Sequence, residues 1–114
     1  MDVGGSEKGS FFIIGIVGKI DRLKDSIVLK SYINTVIGKG HSNIALNLSQ
    51  VTYLDSGALN VLMYGHTILN KKGGQLVIIE PNEYVNDVLS VVGLNKLVKI
   101  FKTEEDFNHA FKAA

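Results

Sequence analysis

Residues Ser42–Lys72 read SNIALNLSQVTYLDSGALNVLMYGHTILNKK, and this stretch decides the fold. An apolar strand over Ile44, Ala45, Leu46, Asn47 and Leu48 leads through a polar connection, Ser49 to Leu54, into Asp55-Ser56-Gly57. From there Ala58, Val61, Leu62, Gly65, Ile68 and Leu69 recur at helical spacing, which predicts a helix of about four turns with that stripe laid on a sheet. An acid, a hydroxyl and a glycine therefore meet where a helix begins. The first N–H groups of a helix lack internal partners and carry the positive end of its dipole, so negative charge is favoured there. The plain reading of Asp55 and Ser56 is that one of them caps the helix.

Outward from this stretch the pattern repeats. Upstream, Phe11 to Gly18 is a near-continuous apolar run that suits a strand buried on both faces, followed by Lys19-Ile20-Asp21 with an acid just beyond it. Leu23 to Ile37 carries Leu29, Tyr32, Ile33 and Val36 on one helical face, and Gly38 and Gly40 stop it. Downstream, Lys71-Lys72-Gly73-Gly74 ends the central helix, and Gln75 to Glu80 reads as a buried strand closed by Pro81, the single proline. Asn82 can cap a short helix that Gly93 ends. Leu97 to Phe101 predicts a short strand, and Thr103 with Glu104 and Glu105 starts a last helix carrying Phe107, Ala110 and Phe111. Strand alternating with helix over short connections predicts an α/β domain: an open, mostly parallel sheet of four or five strands with about four helices. Residues 1–10 are small and polar and read as a flexible tail or a weak edge strand, leaving 11–114 as the domain.

Composition bounds the chemistry. With 114 residues, 46% of them hydrophobic and 20% charged, the chain can bury one core without a metal or disulfide staple. Twelve Lys and Arg against eleven Asp and Glu leave a formal charge of +1, which gives no electrostatic case for nucleic acid or an anionic membrane as partner. The absence of cysteine removes disulfides, thiolate zinc sites and cysteine nucleophiles. No apolar run approaches the roughly 18 residues of a membrane span, and MDVGGSEKGS lacks a basic start followed by an apolar core, so the expected compartment is the cytoplasm.

Three chemistries can be set against the Asp55-Ser56 pair. A nucleophilic serine needs a base, and an α/β-hydrolase would present it in a Gly-x-Ser-x-Gly elbow; Leu54-Asp55-Ser56-Gly57-Ala58 is not that elbow, and His41, His66 and His109 fall on other segments or farther down the helix. A phosphoaccepting Asp55, as in receiver domains, needs an acid pair after the first strand and a lysine after a late one; only Asp21 follows Val17, and no lysine lies between Ile79 and Pro81. The third chemistry makes Ser56 the group that accepts phosphate from another protein, adding a charge of about −1.5 to −2 at a helix start. Gly38-Lys39-Gly40 and Lys72-Gly73-Gly74 follow helices instead of preceding them and match no phosphate-loop pattern.

Leu46-Asn47-Leu48, the short gap, and Leu54-Asp55-Ser56-Gly57-Ala58-Leu59 together resemble the STAS domain of bacterial anti-sigma factor antagonists, as does Val17-Gly18-Lys19-Ile20-Asp21 before the first helix. The resemblance extends from about Phe11 to Phe111, including Gly73-Gly74 and Val92-Gly93-Leu94 before strands. It implies a non-catalytic switch protein without a cofactor. Such a protein binds an anti-sigma factor that is also an ATP-dependent serine kinase, so releasing a sigma factor, and is restored by a serine phosphatase. The matching acceptor is Ser56, with Asp21, Asn47, Asp55, Gly57 and Ala58 as partner-binding or site-adjacent residues. Many family members read Asp-Ser-Ser-Gly where this chain reads Asp-Ser-Gly-Ala, so that Gly57 replaces a second hydroxyl. Some relatives act as scaffolds or transporter appendages, a role that would keep the fold and drop the phosphorylation.

Overall fold

The computed structural model describes residues 1–111; the last three residues of the expected 11–114 domain lie outside the described residues. Among the described residues are five strands and four α-helices: β1 (Asp2–Lys8), β2 (Phe11–Ile20), α1 (Leu23–Gly38), β3 (Asn43–Leu54), α2 (Ser56–Lys71), β4 (Gln75–Ile79), α3 (Glu83–Val91), β5 (Lys99–Phe101) and α4 (Glu104–Ala110), with a 3₁₀ turn over Leu94–Lys96. They form the expected α/β architecture. The sheet order is β1-β2-β3-β4-β5, antiparallel between β1 and β2 and parallel thereafter. Residues 2–8, read as a tail or weak strand, pair along β2 from Asp2↔Val17 to Lys8↔Phe11.

The parallel order follows from the crossovers. Each of α1, α2 and α3 returns the chain to the same end of the sheet, which a tight hairpin cannot do. Leu29, Ile33 and Val36 of α1, Ala58, Val61, Leu62 and Leu69 of α2, and Val85 and Leu89 of α3 meet Ile14, Ile16, Ile44, Leu46, Leu76 and Ile78 on one sheet face. The opposite face is covered at one end only, where Phe107 of α4 closes over Phe11, Ala45, Val77, Ile79 and Phe101. Phe107 and Phe11 meet edge-on with ring centroids 5.1 Å apart, a favoured aromatic geometry. β2 is therefore not buried on both faces throughout, as its apolar run predicted: Val17 is exposed because α4 is too short to reach it.

The limits of β3 and β5 depart most from the sequence reading. Ser49 to Leu54 is not a loop, since β3 continues through it to Leu54. Gly15 pairs with Asn47 and Val17 with Gln50, then Gly18 with Val51 and Lys19 with Tyr53, so β3 twice takes an extra residue relative to β2. Each bulge resets the in-out alternation, and Leu48, Val51 and Leu54 all point into the core at spacings of three. Conversely, the last strand is only Lys99–Phe101, because the 3₁₀ turn before it leaves Leu97 exposed.

Gly74 is required by close approach. A Cβ there would fall on the carbonyl of Ser42, which accepts the N–H of Gln75 at 3.0 Å where β3 and β4 start. Between the helices, Tyr64 of α2 donates its hydroxyl to Asn34 of α1, and the Lys30 ammonium lies 4.4 Å from the Tyr64 ring centre. No helix among the described residues is long and apolar enough to cross a membrane.

Candidate functional site

The site forms where β2 and β3 end. The Asp55 N–H donates to the carbonyl of Ile20 at 3.0 Å, so the last residue of β2 is tied to the first residue before α2. This bond brings Asp21 beside Asp55, although 34 positions separate them. Asp55 itself is extended (φ −99°, ψ −175°), and its Oδ1 accepts the N–H of Ala58 at 2.9 Å. The capping role thus belongs to Asp55, and Ser56 is left as the exposed first residue of α2.

An open groove beside the cap is lined by Lys19, Asp21, Thr52, Tyr53 and Asp55. A second depression, lined by Met1, Lys19, Asp21, Arg22 and Asp25, adjoins it. Tyr53 stacks on Tyr84 of α3, ring centres 6.0 Å apart at 16°. Asn82 joins the two elements that carry this pair. Its Oδ1 accepts the N–H of Val85 at 2.8 Å, capping α3, while its Nδ2 donates to the carbonyl of Val51 at 2.9 Å and pins that cap to β3.

The expected site residues divide. Asp21, Asp55, Ser56 and Gly57 come together at the start of α2. Ala58 is adjacent but fully buried, and offers the site its backbone N–H alone. Asn47 is not brought to the site. It lies mid-strand, paired with Gly15 and Ile79 on the face that Ala45 and Ile79 line, on the order of 20 Å from the end of β3 at about 3.3 Å per residue. Its Oδ1 accepts the N–H of Ser49 at 2.9 Å, where the first bulge interrupts the ladder. The family resemblance placed Asn47 next to the site; the pleat and the length of β3 separate it from Ser56.

Lys19, Thr52, Tyr53 and Ser26 were missed by the sequence reading. Ser26, in the second turn of α1, is buried, and its Oγ lies 2.8 Å from the point that a Cβ on Gly57 would occupy. The signal existed: stepping back from Leu29, Ile33 and Val36 by helical spacing lands on Ser26, so its place in the inward stripe was readable.

No imidazole is positioned to activate Ser56. His41 pairs with Glu7 at 3.2 Å and meets the Phe12 ring at a tilt of 49°, and His109 pairs with Glu105 at 3.6 Å on α4. His66 lies on the order of 15 Å farther along α2, at 1.5 Å per residue. The arrangement leaves the Ser56 hydroxyl exposed at a helix start, next to the capping carboxylate of Asp55.

The STAS domain family model matches residues 6–107, and the chain belongs to the STAS domain family. Among its relatives, a Thermotoga maritima protein named as a candidate anti-sigma factor antagonist is 37% identical over 67 residues, and the match spans 59% of this chain and 59% of that protein. The anti-sigma F factor antagonist of Paenibacillus polymyxa is 25% identical over 92 residues, covering 81% of this chain and 79% of that one. A crystal structure of a candidate antagonist from Thermotoga maritima superposes with a TM-score of 0.87 at 25% identity, covering 97% of this chain and 95% of the other. The Bacillus cell fate determinant SpoIIAA in its phosphorylated form shares the fold, with a TM-score of 0.74 at 17% identity over 96% of this chain and 99% of that one.

Proposed function

We propose that this protein is an anti-sigma factor antagonist: it binds an anti-sigma factor through the surface around Ser56 and so releases a sigma factor. The anti-sigma factor is also a serine kinase that switches the antagonist off by modifying Ser56. The observation that carries this reading is the division of labour at the start of α2, where Asp55 supplies the cap and Ser56 stands exposed beside it. The names of the relatives give it support.

In the modification, the Ser56 Oγ attacks the γ-phosphorus of ATP. The new O–P bond forms as the bond to ADP breaks, and the hydroxyl proton passes to a base of the kinase. The product carries about −1.5 to −2 charges on a surface that already holds Asp21 and Asp55. A partner face fitted to the neutral hydroxyl then meets an anion, loses contact and is repelled by like charge wherever it is acidic. A serine phosphatase restores the hydroxyl by transferring the phosphoryl group to water.

Incubation with an anti-sigma factor/serine kinase and ATP, followed by peptide mass spectrometry, tests the assignment. One phosphoryl group on Ser56, lost in Ser56→Ala, is the expected result. Modification at another residue, or undiminished modification of Ser56→Ala, overturns it.

A further inference from the structure

Ser26 is the one buried polar side chain among the described residues, 7% exposed, and its Oγ has no hydrogen-bond partner. A buried hydroxyl left unpaired costs free energy that an alanine in its place would not. Its orientation is specific. The Oγ lies 2.8 Å from the position a Cβ on Gly57 would take, whereas the Ser26 Cβ lies 3.7 Å from it, so the hydroxyl points at the start of α2. The Asp55 Oδ1 lies 3.2 Å from that same position. The two oxygens border one gap, and the missing side chain of Gly57 keeps it open.

The Asp55 carboxylate is now held by the N–H of Ala58 at 2.9 Å. A phosphoryl group on Ser56 would compete for that N–H, since helix-start amides are anion sites, and would repel the carboxylate beside it. A carboxylate leaving Ala58 needs another donor, and the Ser26 hydroxyl is a donor without an acceptor across the gap.

We propose that Ser26 is a positioning residue for Asp55: its hydroxyl takes up the Asp55 carboxylate when phosphoserine at position 56 claims the Ala58 N–H. The inference rests on the reading of Ser56 as phosphoacceptor, and extends it by giving the modified state a second partner for the cap residue on a different helix. It also accounts for Gly57, because a Cβ there would crowd both oxygens, at 2.8 Å from the Ser26 Oγ and 3.2 Å from the Asp55 Oδ1. Phosphorylation then changes the outer surface while the carboxylate stays paired, and the rearrangement is passed from α2 to α1 through Ser26.

The test uses the full chain with phosphoserine introduced at position 56 during translation, so that no kinase is involved. A kinase that ignored Ser56 would count against the proposed function and leave this coupling standing. Unmodified Ser26→Ala should be as stable as the unmodified wild type or more so, because it removes an unpaired buried hydroxyl. Once position 56 is phosphorylated, Ser26→Ala should lose roughly tenfold more of its folded-to-unfolded ratio than the wild type does, the scale of one hydrogen bond to a charged group. Gly57→Ala should show the same excess loss. In the wild type, the Ser26 Cβ resonance should move on phosphorylation while those of Leu29 and Ile33 stay in place. Equal losses with and without Ser26, an unmoved Ser26 resonance, or destabilisation of the unmodified Ser26→Ala chain by the same factor would each overturn the proposal.

Discussion

The hydroxyl of Ser26 on α1 occupies the space above the Cα of Gly57 on α2, 2.8 Å from where a side chain at residue 57 would begin. Interhelical contact at this point is therefore between a hydroxyl and a bare backbone. Gly57→Ala would gain helix propensity but force the Ser26 Oγ aside. We expect a net loss of about 1–3 kcal/mol in chemical denaturation, typical of overpacking. In a Ser26→Ala background the nearest remaining atom of that residue is the Cβ, at 3.7 Å, an ordinary contact. There Gly57→Ala should lose most of that cost, with the 3.2 Å approach to the Asp55 Oδ1 as the tight contact that remains. Additive effects in the double-mutant cycle would show that the two residues are not coupled.

Asp55 serves two bonds of different kind, and they separate by mutation. Its backbone N–H binds the Ile20 carbonyl whatever the side chain, while its carboxylate caps α2 through Ala58. Asp55→Ala removes only the second, and should lower unfolding free energy by about 0.5–2 kcal/mol. Asp55→Asn keeps an acceptor oxygen at the cap and should retain most of that stability. A comparable loss in both variants would mean that charge at the dipole end, and not the cap bond, carries the contribution.

Much of this arrangement could be read from residue order. The stripe from Ala58 to Leu69 and the acid before it give α2 with its cap, and apolar runs separated by helical stripes give the parallel sheet. Three things escaped, each for a physical reason. Bulges in β3 space Leu48, Val51 and Leu54 three apart, so a reader looking for period-two alternation sees a polar loop. Asn47 is near the motif in sequence, but a strand carries it away from the helix start and turns it to the other face. Tyr53 and Tyr84 meet where Asn82 joins α3 to β3, a contact between segments that no local pattern reports.

That junction is itself testable. Asn82 uses its carbonyl oxygen as the α3 cap and its amide nitrogen as a donor to Val51. Asn82→Asp keeps the cap acceptor but faces the Val51 carbonyl with an oxygen in place of a donor. Asn82→Ala loses both bonds. The alanine variant should cost about 1–3 kcal/mol, since a cap is lost and a part-buried carbonyl loses its donor. The aspartate variant should also destabilise, in spite of its better charge at a helix start. If Asn82→Asp matched the wild type in thermal unfolding, the bond to Val51 would contribute nothing and the cap alone would account for the residue.

The charge at position 56 gives the sharpest functional contrast. Ser56→Glu places an anion on an exposed helix start beside Asp55 without touching the buried stripe of α2. Its folded state should therefore be close to that of the wild type by circular dichroism and thermal unfolding, since the dipole end tolerates an acid and the cap remains. Binding to the anti-sigma factor should nonetheless weaken by roughly tenfold, because the added charge alters a desolvated contact and repels acidic groups opposite it. Ser56→Ala should bind like the unmodified protein and resist the kinase. Calorimetric titration of the three forms against one preparation of the anti-sigma factor separates charge from shape. Equal affinity of the Glu and Ser forms would mean that negative charge at the start of α2 does not control partner release.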